Sequence, residues 1–214
     1  MSKADRSGTR KERNHFRKRS QKLGHYFIVT DTEETEQNYI YGLRDSIPLQ
    51  IKNNLVIKVV KTRTIDLVDK AISLASQQAQ YSEIWIVFDR DQVKDFDNIV
   101  KDALSKDVKV GWSNPCIEIW FHAYFGSMPV STESVKCCND FKKEFSQKTK
   151  QQYSKADKNI YMKLNKYGNE NQAIEFAEQR LKQRIKENSD EPSQMLACTT
   201  VHKLVKDIKD KAGL

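Results

Sequence analysis

The sequence predicts an α/β fold: a mostly parallel sheet flanked by helices, with a helical region after it. Over residues 25–125 short apolar runs alternate with amphipathic segments of helical period, which is the pattern of a parallel sheet. At 214 residues, 38% of them hydrophobic and only seven glycine, the chain can bury one such domain with an elaboration. Acidic or polar residues end three of the apolar runs, and in parallel sheets working groups collect at the carboxyl ends of strands.

The first strand is expected over His25–Thr30, ending at Asp31. TEETEQNYIYGLRDS then has helical spacing, with Tyr39, Ile40 and Leu43 on one face and Asp31 and Glu34 resembling a capping box. A second strand, Leu55–Val60, precedes a helix whose apolar face is Leu67, Val68, Ala71, Ile72 and Ala75. The third strand, Ile84–Phe88, is followed by a helix from Phe96 to Lys106, and the fourth, Val108–Trp112, ends at Ser113. Asn114-Pro115 reads as the cap and first turn of a helix through CIEIWFHAYF, with Glu118 and His122 at i, i+4 on one face. After Gly126 the pattern is helical and lysine-rich over 133–166, 170–187 and 195–212.

EIWIVFDRDQ carries the chemistry. Asp89 and Asp91 stand one residue apart, and like charges so close raise each other's pKa unless a cation lies between them. In an extended segment residues i and i+2 point the same way, so both acids could converge on one ion. Oxygen-only donors suit Mg²⁺ or Mn²⁺ rather than zinc. Three chemistries fit these residues. Asp89-Arg90-Asp91-Gln92-Val93 matches the haloacid-dehalogenase pattern hhhhDxDx[TV], although it follows the third strand instead of the first. A phosphoacceptor receiver would place Asp89 at the end of the third strand but also needs a lysine after a fifth. A non-catalytic nucleic-acid-binding protein would leave the acids as solvated ends.

Composition narrows the setting. No apolar run approaches the ~18–20 residues of a membrane span, and no apolar stretch follows the basic N-terminus as in a signal peptide. Cys116, Cys137, Cys138 and Cys198 show no CxxC spacing, which fits a reducing compartment, and the expected location is the cytoplasm. Cys198 and His202, at i, i+4, would need two more ligands to make a zinc site. The formal charge of +8 is uneven. Residues 1–22 hold nine Lys/Arg against two acids (+7), residues 142–166 hold eight lysines against two acids (+6), and the remainder therefore carries −5. Two basic patches around an acidic body suit a grip on a polyanion, while a solubilising tail is the plainer account of the first.

With these residues in view, the chain resembles the RloB-type Toprim proteins, which include the AbiL-type abortive-infection component. YFIVTDTEETEQNYIYGL is similar to the family's strand, acid and TExNY-like helix. The Toprim DxD falls on Asp89 and Asp91, WSNPCIEIWFHAYF resembles the SNPCFELW signature, and YSKADKNIYMKL and TTVHKLV resemble later blocks. One departure stands out: Asp31-Thr32 occupies the place of the usual Glu-Gly.

The resemblance implies a Toprim-like core over 23–126, a basic arm over 1–22 and a helical, lysine-rich region over 127–214 packed on the core. It implies metal-dependent breakage or joining of phosphodiesters. With no P-loop and no primase or topoisomerase module in the chain, a stand-alone nuclease acting in antiphage defence is the expectation, with RNA slightly favoured over DNA. Asp89 and Asp91 would hold Mg²⁺ or Mn²⁺, and Asp31 would move a proton or bind a second ion. Glu118 would serve a second ion or orient Asn114, or else simply link to His122. Lys203 would steady phosphate charge. Arg13, Arg17, Lys18 and Arg19, with Lys142 and Lys143, would hold the nucleic-acid backbone. A separately encoded ATPase is the implied partner, and no membrane is involved.

The arm generates a test, because its nine basic residues suit phosphate contact rather than base reading. Deleting residues 1–22 is expected to weaken binding to all sequences about equally. Each lost phosphate contact removes roughly 0.7–0.9 from the log–log salt slope, so three contacts change it by about two to three units. A truncated chain that keeps the full-length slope would make the arm a solvated tail.

Overall fold

The computed structural model describes residues 25–30, 34–59, 63–77, 83–91, 93–187 and 191–214. Asp31, Glu33 and the arm residues Arg13, Arg17, Lys18 and Arg19 lie outside them. The elements run β1 (Tyr26–Thr30), α1 (Thr35–Asp45), α2 (Leu49–Lys52), β2 (Leu55–Val59), α3 (Leu67–Ser76), β3 (Glu83–Asp89), α4 (Phe96–Ser105) and β4 (Lys109–Asn114). They continue with α5 (Glu118–Tyr124), α6 (Ser134–Thr149), α7 (Ile160–Tyr167), α8 (Glu170–Lys186), β5 (Cys198–Thr199) and α9 (Val201–Ala212).

The expected α/β architecture is the one observed. Among the described residues five strands form one sheet in the order β2-β1-β3-β4-β5. The first four are parallel, and β5 closes the edge antiparallel to β4 through Ser113 opposite Thr199 and Asn114 opposite Cys198. Both faces of the sheet are covered, so its strands read as continuous apolar runs. Tyr26, Ile28, Trp85 and Val87 face one core, with Tyr39 of α1, Trp120 of α5, Phe141 of α6 and Leu204 of α9. Phe27, Val29, Ile86 and Phe88, one residue out of phase, face the other core with Leu67 and Val68 of α3 and Phe96 of α4. All four cysteines are buried and free.

β1 pairs with β2 on one side and β3 on the other. The chain therefore leaves β1 outward to β2, returns across it, and continues away from β3. Such a reversal opens a crevice at the carboxyl ends of the two central strands, where parallel sheets bind ligands. The end of β3 is Asp89.

Several boundaries differ from expectation, each for a physical reason. Asn114 does not cap a helix; it ends β4, its bond to Pro115 is cis, and α5 begins at Glu118. Pairing with β5 extends the strand, and the buried Asn114 amide instead donates to the carbonyls of Pro192 and Ser193, both at 3.0 Å. Glu34 occupies the cap position of α1 itself and makes no side-chain cap bond, so it is not the third helical residue of a capping box. The segment 133–166 is two helices, because Lys150 takes a left-handed conformation and ends α6. Tyr153 then turns inward onto Phe141, with ring centroids 4.8 Å apart at 84°. Likewise 195–212 contains β5 before α9. Among the described residues no helix is long and apolar enough to cross a membrane.

α7 lies against α1 where Gly42 leaves room: a Cβ there would meet the Tyr161 Cβ at 2.4 Å. Alanine favours a helix over glycine by about 1 kcal/mol, but overpacking costs about 1–3 kcal/mol, so the clash should win. Gly42→Ala is expected to lower stability in urea titrations. A variant as stable as the parent would mean that α7 yields without cost.

Candidate active site

The site is built from the strand ends upward. Asp89 lies in register with Ser113 of β4, and the turn after it is tied to the turn after β4. Arg90 N–H donates to the Ser113 carbonyl at 2.8 Å, and Asp91 N–H to the Pro115 carbonyl at 3.0 Å. Ile117 N–H donates to Asp89 Oδ2 at 3.0 Å. These bonds fix the carboxylate of Asp89 against the start of α5.

Two more acids meet it there. Glu36, buried in the first turn of α1, hydrogen-bonds the Asp89 carboxyl, and Glu118, buried at the first position of α5, lies close to it. Desolvation, then the charges of Glu36 and Glu118, hold the Asp89 pKa well above the ordinary carboxylate range, against the Ile117 N–H. Glu118 Oε1 accepts from Tyr153 Oη at 3.0 Å and stands 4.0 Å from Lys155 Nζ. Glu118 Oε2 is buried without a hydrogen-bond partner among the described residues. Leaving a buried carboxylate oxygen bare is costly. The half-exposed Lys155 has its pKa raised: burial, the largest single effect, works against its charge, but Glu118, Cys138, Cys116 and Asp89 together outweigh it. Its carbonyl accepts from Thr35 Oγ1 at 3.3 Å, which joins the 153–155 loop to the start of α1.

Asp91 sits differently. β3 stops at Asp89, and Asp91 has φ = 26°, so the strand alternation that would aim both acids one way does not extend to it. It is exposed, and its Oδ1 accepts from Ser134 Oγ at 2.5 Å. The acid that joins Asp89 is Glu36, from another element. Among the described residues no group of three or more His, Cys, Asp or Glu side chains is arranged to hold a metal ion. What is present is a carboxyl pair and a third acid beside it. These donors are all oxygen, and one oxygen is unpartnered, which suits a hard divalent ion.

The other expected residues fall as follows. Among the described residues Glu118 makes no hydrogen bond to His122, whose Nδ1 is bonded to Glu144, or to Asn114, whose amide goes to Pro192 and Ser193. Lys203 is exposed on α9. Its neighbour His202 is buried, and His202 Nδ1–H donates to the Thr199 carbonyl at 2.9 Å. Lys142 and Lys143 are exposed on α6, with Lys143 3.6 Å from Asp140. Asp31 lies outside the described residues. Glu36, Tyr153 and Lys155 were missed by sequence reasoning. Their signal was present in two of the blocks that carry the resemblance: Glu36 in the TEQNY segment, Tyr153 and Lys155 in YSKADK.

A doubly covered, mostly parallel sheet with acids gathered at its crossover point defines the class: an α/β protein with a candidate ligand site at the carboxyl ends of β1 and β3. The model of the RloB-like protein family matches residues 26–208, and the chain belongs to that family. No curated protein and no solved structure matches the chain.

His202 gives a prediction with a defined sign. Burial, then the charge of Lys203, pushes its pKa from 6.5 down to about 4. The unfolded chain therefore takes up a proton at His202 before the folded one does. The contribution is complete above pH 6.5 and is lost as pH falls toward 4. A shift of that size corresponds to about 3 kcal/mol. His202→Gln should flatten the decline in urea stability between these pH values relative to the parent. Parallel pH profiles for the two proteins would show that the imidazole titrates alike folded and unfolded.

Proposed function

We propose that this protein is a divalent-metal-dependent phosphodiesterase of the Toprim type that cuts nucleic acid, RNA slightly favoured over DNA. It would act as the toxic effector of an antiphage defence system, in the manner of AbiL-type abortive infection. The observation that carries the proposal is the gathering of Asp89, Glu36 and Glu118 at the crossover of the sheet, with Lys155 beside them. Three acids placed so close need a cation or a proton. On this proposal Asp89, Glu36 and Glu118 would hold Mg²⁺ or Mn²⁺, which supplies Lewis-acid activation of the phosphoryl group and of water. Ile117 N–H fixes one Asp89 oxygen, and Tyr153 orients Glu118. Lys155 would take the developing charge on the phosphate, the part first given to Lys203. Asp91, tied to Ser134, would complete the coordination only through a rearrangement of its turn or through water. Asp31 remains the candidate proton acceptor after β1. The working environment would be the cytoplasm, beside a separately encoded ATPase.

One observation favours a second reading, a non-catalytic nucleic-acid-binding component of the same kind of system. Among the described residues the acids form no finished three-ligand metal group.

The deciding experiment incubates the protein with total RNA and with plasmid DNA in Mg²⁺, Mn²⁺ or EDTA. Cleavage with metal, and none with EDTA, is expected. Asp89→Asn, Glu36→Gln and Glu118→Gln should each reduce the rate by roughly 10²–10³, and Lys155→Ala by roughly 10². A greater loss for Lys203→Ala than for Lys155→Ala would return the phosphate role to Lys203. No cleavage of either nucleic acid, with no heat of Mn²⁺ binding that depends on Asp89, would leave the binding reading.

A further inference from the structure

A cleft of about 770 Å³ lies between the outer face of α1 and the start of α7. Both walls start within a few residues of the acid cluster along the chain. On one side Gln37 and Asn38 directly follow Glu36, and the wall continues through Tyr41 to Arg44. On the other, Lys158 and Asn159 come three and four residues after Lys155. From Gln37 to Ser46 the helical rise is about 14 Å, roughly four stacked nucleotides at about 3.4 Å each.

The lining has the chemistry of base and phosphate recognition. Tyr41 is partly buried, and the Arg44 guanidinium lies 4.7 Å from its ring centroid. A base can stack on such a pair without regard to its identity. Gln37, Asn38 and Asn159 bring amides that can donate and accept at base edges. The side chains of Gln37, Asn38 and Lys158 make no hydrogen bond or ion pair among the described residues. Asp45, the acid on the lining, is already neutralised by Arg44 at 3.1 Å and Lys52 at 3.5 Å. The lining is thus slightly positive in balance and mixes these polar groups with the apolar surfaces of Tyr41 and Met162. Base edges and faces are offered by unpaired strands and hidden in a duplex, so the lining fits a single strand.

We infer that this cleft is the subsite for the single-stranded nucleic acid flanking the phosphodiester to be cut. The inference deepens the nuclease reading and rests on it, and its test separates the two.

The probe is a fluorescein-labelled single-stranded RNA of mixed sequence, 12 nucleotides long (about three times the cleft length). Its binding to the full chain is followed by anisotropy in EDTA, alongside the same strand in duplex form. Tyr41→Ala and Asn38→Ala leave the net charge unchanged, so attraction by the basic arm is constant. Each is expected to weaken single-strand binding about tenfold or more, and duplex binding by much less. Asn38 is a half-exposed helix position, so its variant keeps the test valid if loss of Tyr41 disturbs packing. Single-strand affinity unchanged in both variants overturns the subsite. Weakened binding in these variants, together with no metal-dependent cleavage by the parent, keeps the cleft as a strand-binding site and removes the nuclease reading.

Discussion

The structure depends on holding a carboxyl in a place where an isolated charge is costly. Asp89 ends a central strand of the sheet, and the two turns around it are tied together by backbone. Arg90 and Asp91 donate to Ser113 and Pro115, and Ile117 donates back to Asp89. Those bonds fix the start of α5 and so deliver Glu118, while the first turn of α1 delivers Glu36. Desolvation strengthens every charge interaction in such a site, which is why Asp89 departs so far from an ordinary carboxyl.

The C-terminal half completes the site rather than merely covering it. Phe141 and Phe145 of α6 pack Tyr153, whose ring stands edge-on to Phe141, and the Tyr153 hydroxyl reaches Glu118. That anchor brings Lys155 to within 4.0 Å of the same acid. On the far edge, β5 adds to β4, and the turn before it is held by Asn114 and by Asp97, which accepts from Ser193 N–H at 2.7 Å. The lysine-rich region that composition marks as a polyanion grip therefore also supplies a cation to the centre. A surface lysine pair contributes little, but one facing a buried carboxylate is screened less.

The strands and their order of appearance were visible in the sequence because both sheet faces are covered, so each strand is an unbroken apolar run bounded by polar residues. Asp89 was visible for the same reason: it is the first polar residue after such a run. The partnership of Asp89 with Asp91 was inferred from strand alternation, and that rule ends where the strand ends. Asp91 sits one turn later with positive φ. Glu36 was hidden because an acid in a first helical turn is ordinarily satisfied by the helix itself. Only the crossover of the sheet shows that this turn points at Asp89. Lys155 and Lys203 look alike in sequence, and their difference comes from Tyr153, whose burial is a tertiary event. Asn114 followed by proline matched a helix start, but a two-residue strand 84 positions later captured it instead.

The charge balance at the centre sets what the site can do. Asp89, held well above the ordinary carboxylate range by burial and then by the charges of Glu36 and Glu118, calls for a proton or a cation beside it. Lys155 cannot replace that proton, because it is half-exposed and faces Glu118 at 4.0 Å rather than the Glu36–Asp89 pair. The pair can therefore be relieved by a proton held between its oxygens or by a cation that bridges them. These occupants exclude one another, since an ion needs the lone pair that the proton occupies. If a divalent ion binds here, the Ile117 N–H would keep one Asp89 oxygen in place beside it. Glu118 adds a further oxygen that has no hydrogen-bond partner among the described residues, and such an oxygen is costly to bury bare.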